Sequence, residues 1–129
     1  MASIFTKIVK GEIRCHKLYE DEKHLAFLDV RPIKKGHSLV IPKKEVDYIF
    51  DLEDDELAEL IKVAKKVAKG IEAVIPCKRI GLTVIGLEVP HTHIHLLPIH
   101  GISDIDFSKA KNAKSDTLAA LAEQISNQI

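Results

Sequence analysis

One long amphipathic segment does most to limit the folds open to this chain. From about Glu53 to Val74, apolar residues recur at intervals of three and four, acidic residues crowd the start, and lysines lie toward the end. This spacing predicts a helix with one buried face, and the order of the charges suits the helix dipole. The apolar positions are Leu57, Leu60, Ile61, Ala64, Val67, Ala68, Ile71 and Val74.

Short apolar segments that end at prolines, glycines or polar turns predict five strands around this helix. They cover residues 16–20, 24–30, 37–41, 79–85 and 91–97. The short connections favour antiparallel pairing. Ser3 can cap a short helix over Ile4–Val9, and Ser115 can cap a last helix at about 115–128. We therefore predict an α+β fold, with an antiparallel sheet, one long helix and short N- and C-terminal helices.

The 129 residues suggest a single domain, with a core at about 3–101 and a C-terminal extension that carries the last helix. That helix has an apolar stripe which could cover this chain's own sheet or that of a second subunit. The stripe consists of Leu118, Leu121, Ala122 and Ile125.

Composition argues against several classes of function. Nineteen basic residues balance nineteen acidic ones, so a polymeric nucleic acid partner is not expected, although a small phosphate ligand fits. No apolar run approaches the roughly 20 residues that span a bilayer, and no signal peptide is recognisable. Cys15 and Cys77 form no CxxC pair, so neither a disulfide framework nor a cysteine zinc site is expected. We predict a cytoplasmic protein with no membrane contact.

Three of the seven histidines, His91, His93 and His95, alternate within five residues. On a strand they would point to one face, about 7 Å apart. Three interpretations are open: exposed histidines on an edge strand, a metal site, and nucleophilic catalysis at phosphorus. Catalysis needs a neutral imidazole as nucleophile, a proton donor for the leaving group and donors for the phosphate oxygens. A histidine row supplies all three, and its middle member is the natural nucleophile.

The segment His91–Leu97 resembles the H-φ-H-φ-H-φ-φ signature of the histidine-triad (HIT) superfamily, where φ is apolar, although Thr92 stands at the first φ position. Residues 4–13, 26–30 and 36–44 resemble three further family segments in the same order. The resemblance covers about residues 3–98 and points to the small, Hint-like nucleotide-binding branch. It implies a single HIT-like domain over residues 1–129.

The resemblance also implies an activity: a nucleotide hydrolase or transferase that cleaves nucleoside 5′-phosphoramidates or related nucleoside phosphates. His93 matches the nucleophile that forms a nucleotidyl-histidine, from which water releases a nucleoside monophosphate. His91 and His95 match the flanking members that bind phosphate and assist the leaving group. His37 matches the fourth histidine beside the triad.

Further positions match the nucleotide-binding residues of the family. Asp29 matches the acidic residue that hydrogen-bonds the ribose hydroxyls, and four positions match the apolar surroundings of the base: Phe5, Ile8, Ile13 and Phe27. The resemblance implies an AMP-like ligand, with purine preferred, and a homodimer. No cofactor and no metal are expected.

The segment Leu87–Pro90 departs from the family pattern. It is short, and it contains Glu88 where many members have a neutral donor, three residues before the triad. An anion at this position puts the leaving-group preference in question. A nucleotide-binding module with little catalysis therefore stays open as an alternative. The histidine row leaves open a second alternative, a metal-dependent enzyme that uses the triad as ligands.

Overall fold

The computed structural model describes residues 2–129 and contains a five-stranded antiparallel sheet with three α-helices. The predicted α+β class is confirmed. In chain order the elements are α1 (Ile4–Val9), β1 (Lys17–Glu20), β2 (His24–Leu28), β3 (Ser38–Pro42), α2 (Asp54–Val74), β4 (Arg79–Thr83), β5 (Ile94–Ile99) and α3 (Ser115–Ser126). The strands lie in the order β1-β2-β3-β5-β4.

The two faces of the sheet are covered differently. Side chains alternate along each strand, so Ala26 and Val40 point toward α2 and α3, whereas Phe27 and Leu39 point the other way. The short helix α1, through Phe5, adds to the apolar cluster on that second face, and no long helix within residues 2–129 covers it. The second face is therefore the one with room for a ligand.

The long helix begins close to its predicted start. Glu53 is its N-terminal cap residue, and the N–H of Glu53 donates to the carboxylate of Glu56 at 3.0 Å. Leu60, Val67 and Ile71 are fully buried against the sheet. Ile61, which was predicted for the buried face, is 44% exposed, so the covered stripe is narrower than the sequence indicated.

The C-terminal helix packs on its own chain. Its stripe, from Leu118 to Ile125, joins the same core cluster as α2 and the sheet. This settles the open question of what the stripe covers. The helix begins with Ser115 itself, and Lys114 occupies the cap position without a side-chain bond, so the prediction of Ser115 as cap was wrong.

The last strand begins later and ends later than predicted. β5 starts at Ile94, because Thr92 donates both its N–H and its hydroxyl to the carbonyl of Val46 instead of pairing with a strand. Pro98 lies inside β5, where the pairing with β3 has already ended and β4 is the single neighbour. His91 and His93 therefore precede the strand, and the prediction of three histidines in one strand row was wrong.

Within residues 2–129, no helix combines the length and the apolar character needed to cross a membrane.

Candidate active site

A cleft of about 470 Å³ opens on the face of the sheet that carries α1. Its walls come from α1, from the loop after β2, from β3 and β5, from the loop between β4 and β5, and from the segment after β5. Five of the predicted site residues line it: Phe5, Asp29, His37, His93 and His95. The sequence prediction thus located one common site from residues that lie far apart in the chain.

The other four predicted site residues do not line the cleft. His91 has no exposed surface and lies behind the cleft wall. Phe27 is buried beneath Phe5, with 5.7 Å between the ring centroids, and Ile8 packs against the same cluster. Ile13 is 37% exposed and lies outside the cleft. These apolar residues support the cleft from below or lie beside it.

The tautomer of His93 follows from its backbone partner. Its Nδ1 lies 2.7 Å from the carbonyl oxygen of His91. A carbonyl only accepts, so Nδ1 carries the proton, and in the neutral ring the lone pair is on Nε2. Phe5 packs on the ring in a T-shaped contact, at 4.9 Å between centroids. His93 is thus held in one orientation at the cleft, with its Nδ1–H on the His91 carbonyl.

His91 acts as an anchor between α1 and the sheet. Its Nε2–H donates to the carbonyl of Pro42 at 2.8 Å, so its Nδ1 accepts from the hydroxyl of Ser3 at 2.9 Å. Ser3 also caps α1 by accepting from the N–H of Thr6, and both residues donate to the carboxylate of Glu45. Both ring nitrogens of His91 are therefore used within the protein, and neither is free for phosphate.

His37 and His95 form a directed hydrogen-bond chain. The N–H of Ile33 donates to His37 Nδ1 at 3.1 Å, so the proton of His37 is on Nε2. That Nε2–H donates to His95 Nδ1 at 2.9 Å, and the remaining proton of His95 is on Nε2. His95 is thereby fixed as a neutral N–H donor for a ligand in the cleft.

Burial keeps this pair uncharged at neutral pH. Desolvation lowers the pKa of His37, although the nearby Asp29 carboxylate opposes the shift. Desolvation also lowers the pKa of His95 to about 3, and the neighbouring His37 and His93 add to the effect. Burial likewise lowers the pKa of His91.

Asp29 has one carboxylate oxygen in a local turn and the other at the mouth of the cleft. One carboxylate oxygen accepts from the N–H of Arg31 at 2.9 Å, as a turn residue does. The other oxygen lies 3.6 Å from His37 Nε2, and the side chain is partly exposed at the cleft. This second oxygen is available to accept hydrogen bonds from a ligand.

Among the described residues, one group of side chains has the spacing of a metal site: Asp29, His37 and His95, with ligand atoms within 4.8 Å of one another. A metal needs a lone pair on His37 Nε2, but the N–H of Ile33 occupies Nδ1 and leaves the proton on Nε2. The donor set therefore does not fit a metal ion. Because His91 also has no free nitrogen, the geometry disfavours the triad as a set of metal ligands.

The sequence analysis missed the contribution of the segment after β5. Phe107 packs edge-on against His95, at 4.9 Å between centroids, and contacts His37 as well. The segment is fastened by an ion pair between Lys34 and Asp104, and by a hydrogen bond from Arg31 to the carbonyl of Ala110. Its polar composition carries no periodic signal; a lone aromatic residue in a polar stretch was the single available hint.

The low pKa of His95 predicts a measurable acid sensitivity. The unfolded chain protonates this residue near pH 6.5, whereas the folded protein resists protonation down to about pH 3. The contribution of neutral His95 to the free energy of unfolding is therefore complete above pH 6.5, and it is lost as the pH falls toward 3. As the pH is lowered from 6 to 4, the free energy of unfolding should decrease less steeply in His95→Asn than in the wild type. The difference between the two slopes should be up to about 1.4 kcal/mol per pH unit. Urea unfolding at a series of pH values measures this slope.

The control for this experiment is His100→Asn, which removes an exposed histidine outside the cleft. Its slope should match that of the wild type. Equal slopes for wild type and His95→Asn would contradict the assignment of His95 as a buried neutral group.

Comparison with known proteins identifies relatives of this site. The HIT domain matches residues 10–102. An uncharacterised HIT-like protein of Methanocaldococcus jannaschii is 38% identical over 125 residues, covering 88% of this chain and 92% of the relative. The adenosine 5′-monophosphoramidase hnt1 of Schizosaccharomyces pombe is 42% identical over 100 residues, covering 76% of this chain and 74% of the relative.

A solved structure is similar over nearly its whole length. The crystal structure of a Hit-like protein from Bartonella henselae superposes with a TM-score of 0.86 at 28% identity, covering 98% of this chain and 96% of that one. The fold and the order of its elements are therefore shared with a known protein.

Proposed function

This chain belongs to the HIT family, and on that premise we propose that it hydrolyses adenosine 5′-phosphoramidates or closely related nucleoside 5′-phosphate derivatives, and releases a nucleoside monophosphate. The observation that carries the proposal is the tautomer of His93. Its Nδ1–H is engaged by the His91 carbonyl, so its Nε2 lone pair is available at the cleft. The S. pombe relative that bears the name adenosine 5′-monophosphoramidase supports the choice of substrate class.

In the first step, the lone pair of His93 Nε2 attacks the α-phosphorus. The new N–P bond forms as the bond from phosphorus to the amine breaks, and the amine leaves with that electron pair and a proton taken up from water. His93 then carries a positive charge, and its Nδ1–H bond to the His91 carbonyl stabilises that charge. His95 keeps its Nε2 proton and donates a hydrogen bond to a phosphoryl oxygen.

In the second step, a water molecule attacks the phosphorus of the nucleotidyl-histidine. The P–N bond to His93 breaks, and its electron pair returns to Nε2. The attacking water releases one proton to the solvent, which replaces the proton that the amine took from water in the first step. Asp29 is proposed to accept from the ribose hydroxyls through its outer carboxylate oxygen. Phe5 contributes apolar surface at the cleft.

The decisive assay combines turnover with binding. Purified protein is incubated with adenosine 5′-phosphoramidate and AMP release is followed by chromatography, while calorimetry measures the binding of AMP. We expect both turnover and binding. Binding of AMP without any turnover would contradict the hydrolase and would favour the alternative of a nucleotide-binding module.

We also propose a homodimer, and the support for it is the edge strand β4 and not the apolar stripe of α3. The apolar stripe of α3 is used within the chain, so it no longer supports a dimer. Strand β4, however, is an edge of the sheet, and apolar side chains lie exposed on it and just after it: Leu82 and Ile85 at 49% each, and Leu87 at 88%. Light scattering should give about twice the chain mass of 14.4 kDa.

The oxidation state of the two cysteines is relevant to the cellular compartment of the protein. Cys15 and Cys77 are both free thiols. Unpaired cysteines are usual where thiols stay reduced, and we propose the cytoplasm as the compartment.

A further inference from the structure

The cleft has an unusual charge for a phosphate site. Its lining contains two carboxylates, Asp29 and Glu88, and one guanidinium, Arg31, but no lysine among the described residues. The Arg31 guanidinium donates to the carbonyl of Ala110 and is partly used there. With the histidines neutral, the lining carries a net charge of −1. A cleft of this kind disfavours ligands with several negative charges.

Glu88 is the carboxylate without a protein partner. Asp29 accepts from Arg31 and lies near His37, whereas none of the ion pairs within residues 2–129 involves Glu88. Glu88 lies in the loop between β4 and β5, and the next residue, Val89, packs against the apolar cluster around Phe5. The packing of Val89 fastens this part of the loop next to the cleft.

Glu88 is solvent-exposed at the cleft, so its carboxylate is accessible to a bound substrate. Under the proposed function, Asp29 takes the ribose hydroxyls, and His93 and His95 take the phosphoryl group. The base is uncharged and rests on apolar surface. The part of the substrate that remains is the leaving group, which is also the part that varies between nucleotide derivatives.

We propose that Glu88 selects the leaving group and that the preferred substrates are nucleoside 5′-phosphoramidates whose departing amine carries an additional positive charge. A primary ammonium on the departing amine would offer the carboxylate of Glu88 a charged partner in the same cleft as His93. Leaving groups made of phosphate would carry their negative charges into a cleft that is already negative, and would be rejected. This inference rests on the proposed hydrolase function.

A series of three adenosine 5′-phosphoramidates tests the inference. The amines have similar length and differ in charge: 2-aminoethylamine gives a cation, propylamine a neutral group and β-alanine an anion. We expect kcat/KM of the wild type to fall from the cation to the neutral substrate to the anion, by about tenfold across the series at low salt. The differences should shrink in 1 M salt, because a solvent-exposed charge is screened.

Two variants of Glu88 and one control separate charge from shape. Glu88→Gln keeps the size of the side chain, and should bring the three kcat/KM values together while the neutral substrate changes by less than about threefold. Glu88→Lys should reverse the order. Glu123→Gln removes the same charge from the exposed face of α3, away from the cleft, and should behave as the wild type.

The outcomes distinguish a failure of the proposed leaving-group selectivity from a failure of the proposed hydrolase activity. Turnover of all three substrates with equal kcat/KM in the wild type would overturn the role of Glu88 and leave the hydrolase standing. An unchanged order in Glu88→Lys would overturn it as well. No AMP release from any of the three substrates by the wild type would contradict the hydrolase itself, and with it the selectivity.

Discussion

His93→Ala should lower the rate of AMP release by about 10³-fold or more, because it removes the atom that forms the covalent bond to phosphorus. In the wild type, rapid mixing with an adenosine phosphoramidate followed by intact-mass spectrometry should show a transient adenylyl adduct. His93→Ala should show neither the adduct nor turnover above background. An intermediate that is hydrolysed quickly is made visible by shortening the mixing time.

A second variant separates nucleophile loss from disorder of the site. In His93→Asn, the side-chain amide can still donate to the His91 carbonyl, but it offers no nucleophilic nitrogen. It should be as inactive as His93→Ala while its thermal unfolding stays near that of the wild type. His100→Ala, outside the cleft, is the matched control and should keep full activity. Adduct formation in either His93 variant would refute the assignment.

Gly36→Ala should destabilise the fold by about 2–4 kcal/mol, for two separable reasons. The residue has φ +92°, a left-handed conformation that costs a residue with a Cβ roughly 1 kcal/mol or more. A Cβ at this position would also overlap Ile75 Cδ1, so a neighbouring group must shift to admit it. Such overpacking typically costs about 1–3 kcal/mol.

Gly11→Ala is the matched control for this effect. Gly11 has a similar backbone conformation, with φ +79°, but nothing lies within 4 Å of its would-be Cβ. It should therefore show the backbone cost alone, about 1 kcal/mol. Urea unfolding of both variants gives the difference, and equal losses would show that the contact with Ile75 is relieved without cost. Because His37 follows Gly36, reduced activity should accompany the larger loss.

The sequence predicted the fold class well because its strongest signals are local. The spacing of apolar residues in α2 and the cap of α1 at Ser3 depend on neighbours within a few positions. The boundaries of β5 could not be predicted in this way. The strand begins at Ile94 because Thr92 bonds to Val46, a residue 46 positions away. Pro98 is accommodated because only β4 pairs with β5 at that point.

The structure brings five of the predicted site residues to one cleft: Phe5, Asp29, His37, His93 and His95. Their catalytic and binding roles stay predictions. The family resemblance assigned His91 to phosphate, whereas the fold uses both of its ring nitrogens to bind α1 and the sheet. Phe107 had no motif at all and lies beside His95 through the path of a loop.

The sequence by itself determined the order of the helices and strands and the α+β class, because those properties follow from residue type and spacing. Only the tertiary structure decided the role of each histidine. For His91 and His95 the ring protons are placed by partners distant in the chain: Ser3 is 88 positions from His91, and His37 is 58 positions from His95. A hydrogen bond between such residues exists only once the chain has folded, and those bonds leave His91 with no free ring nitrogen and His95 with an Nε2–H directed away from His37.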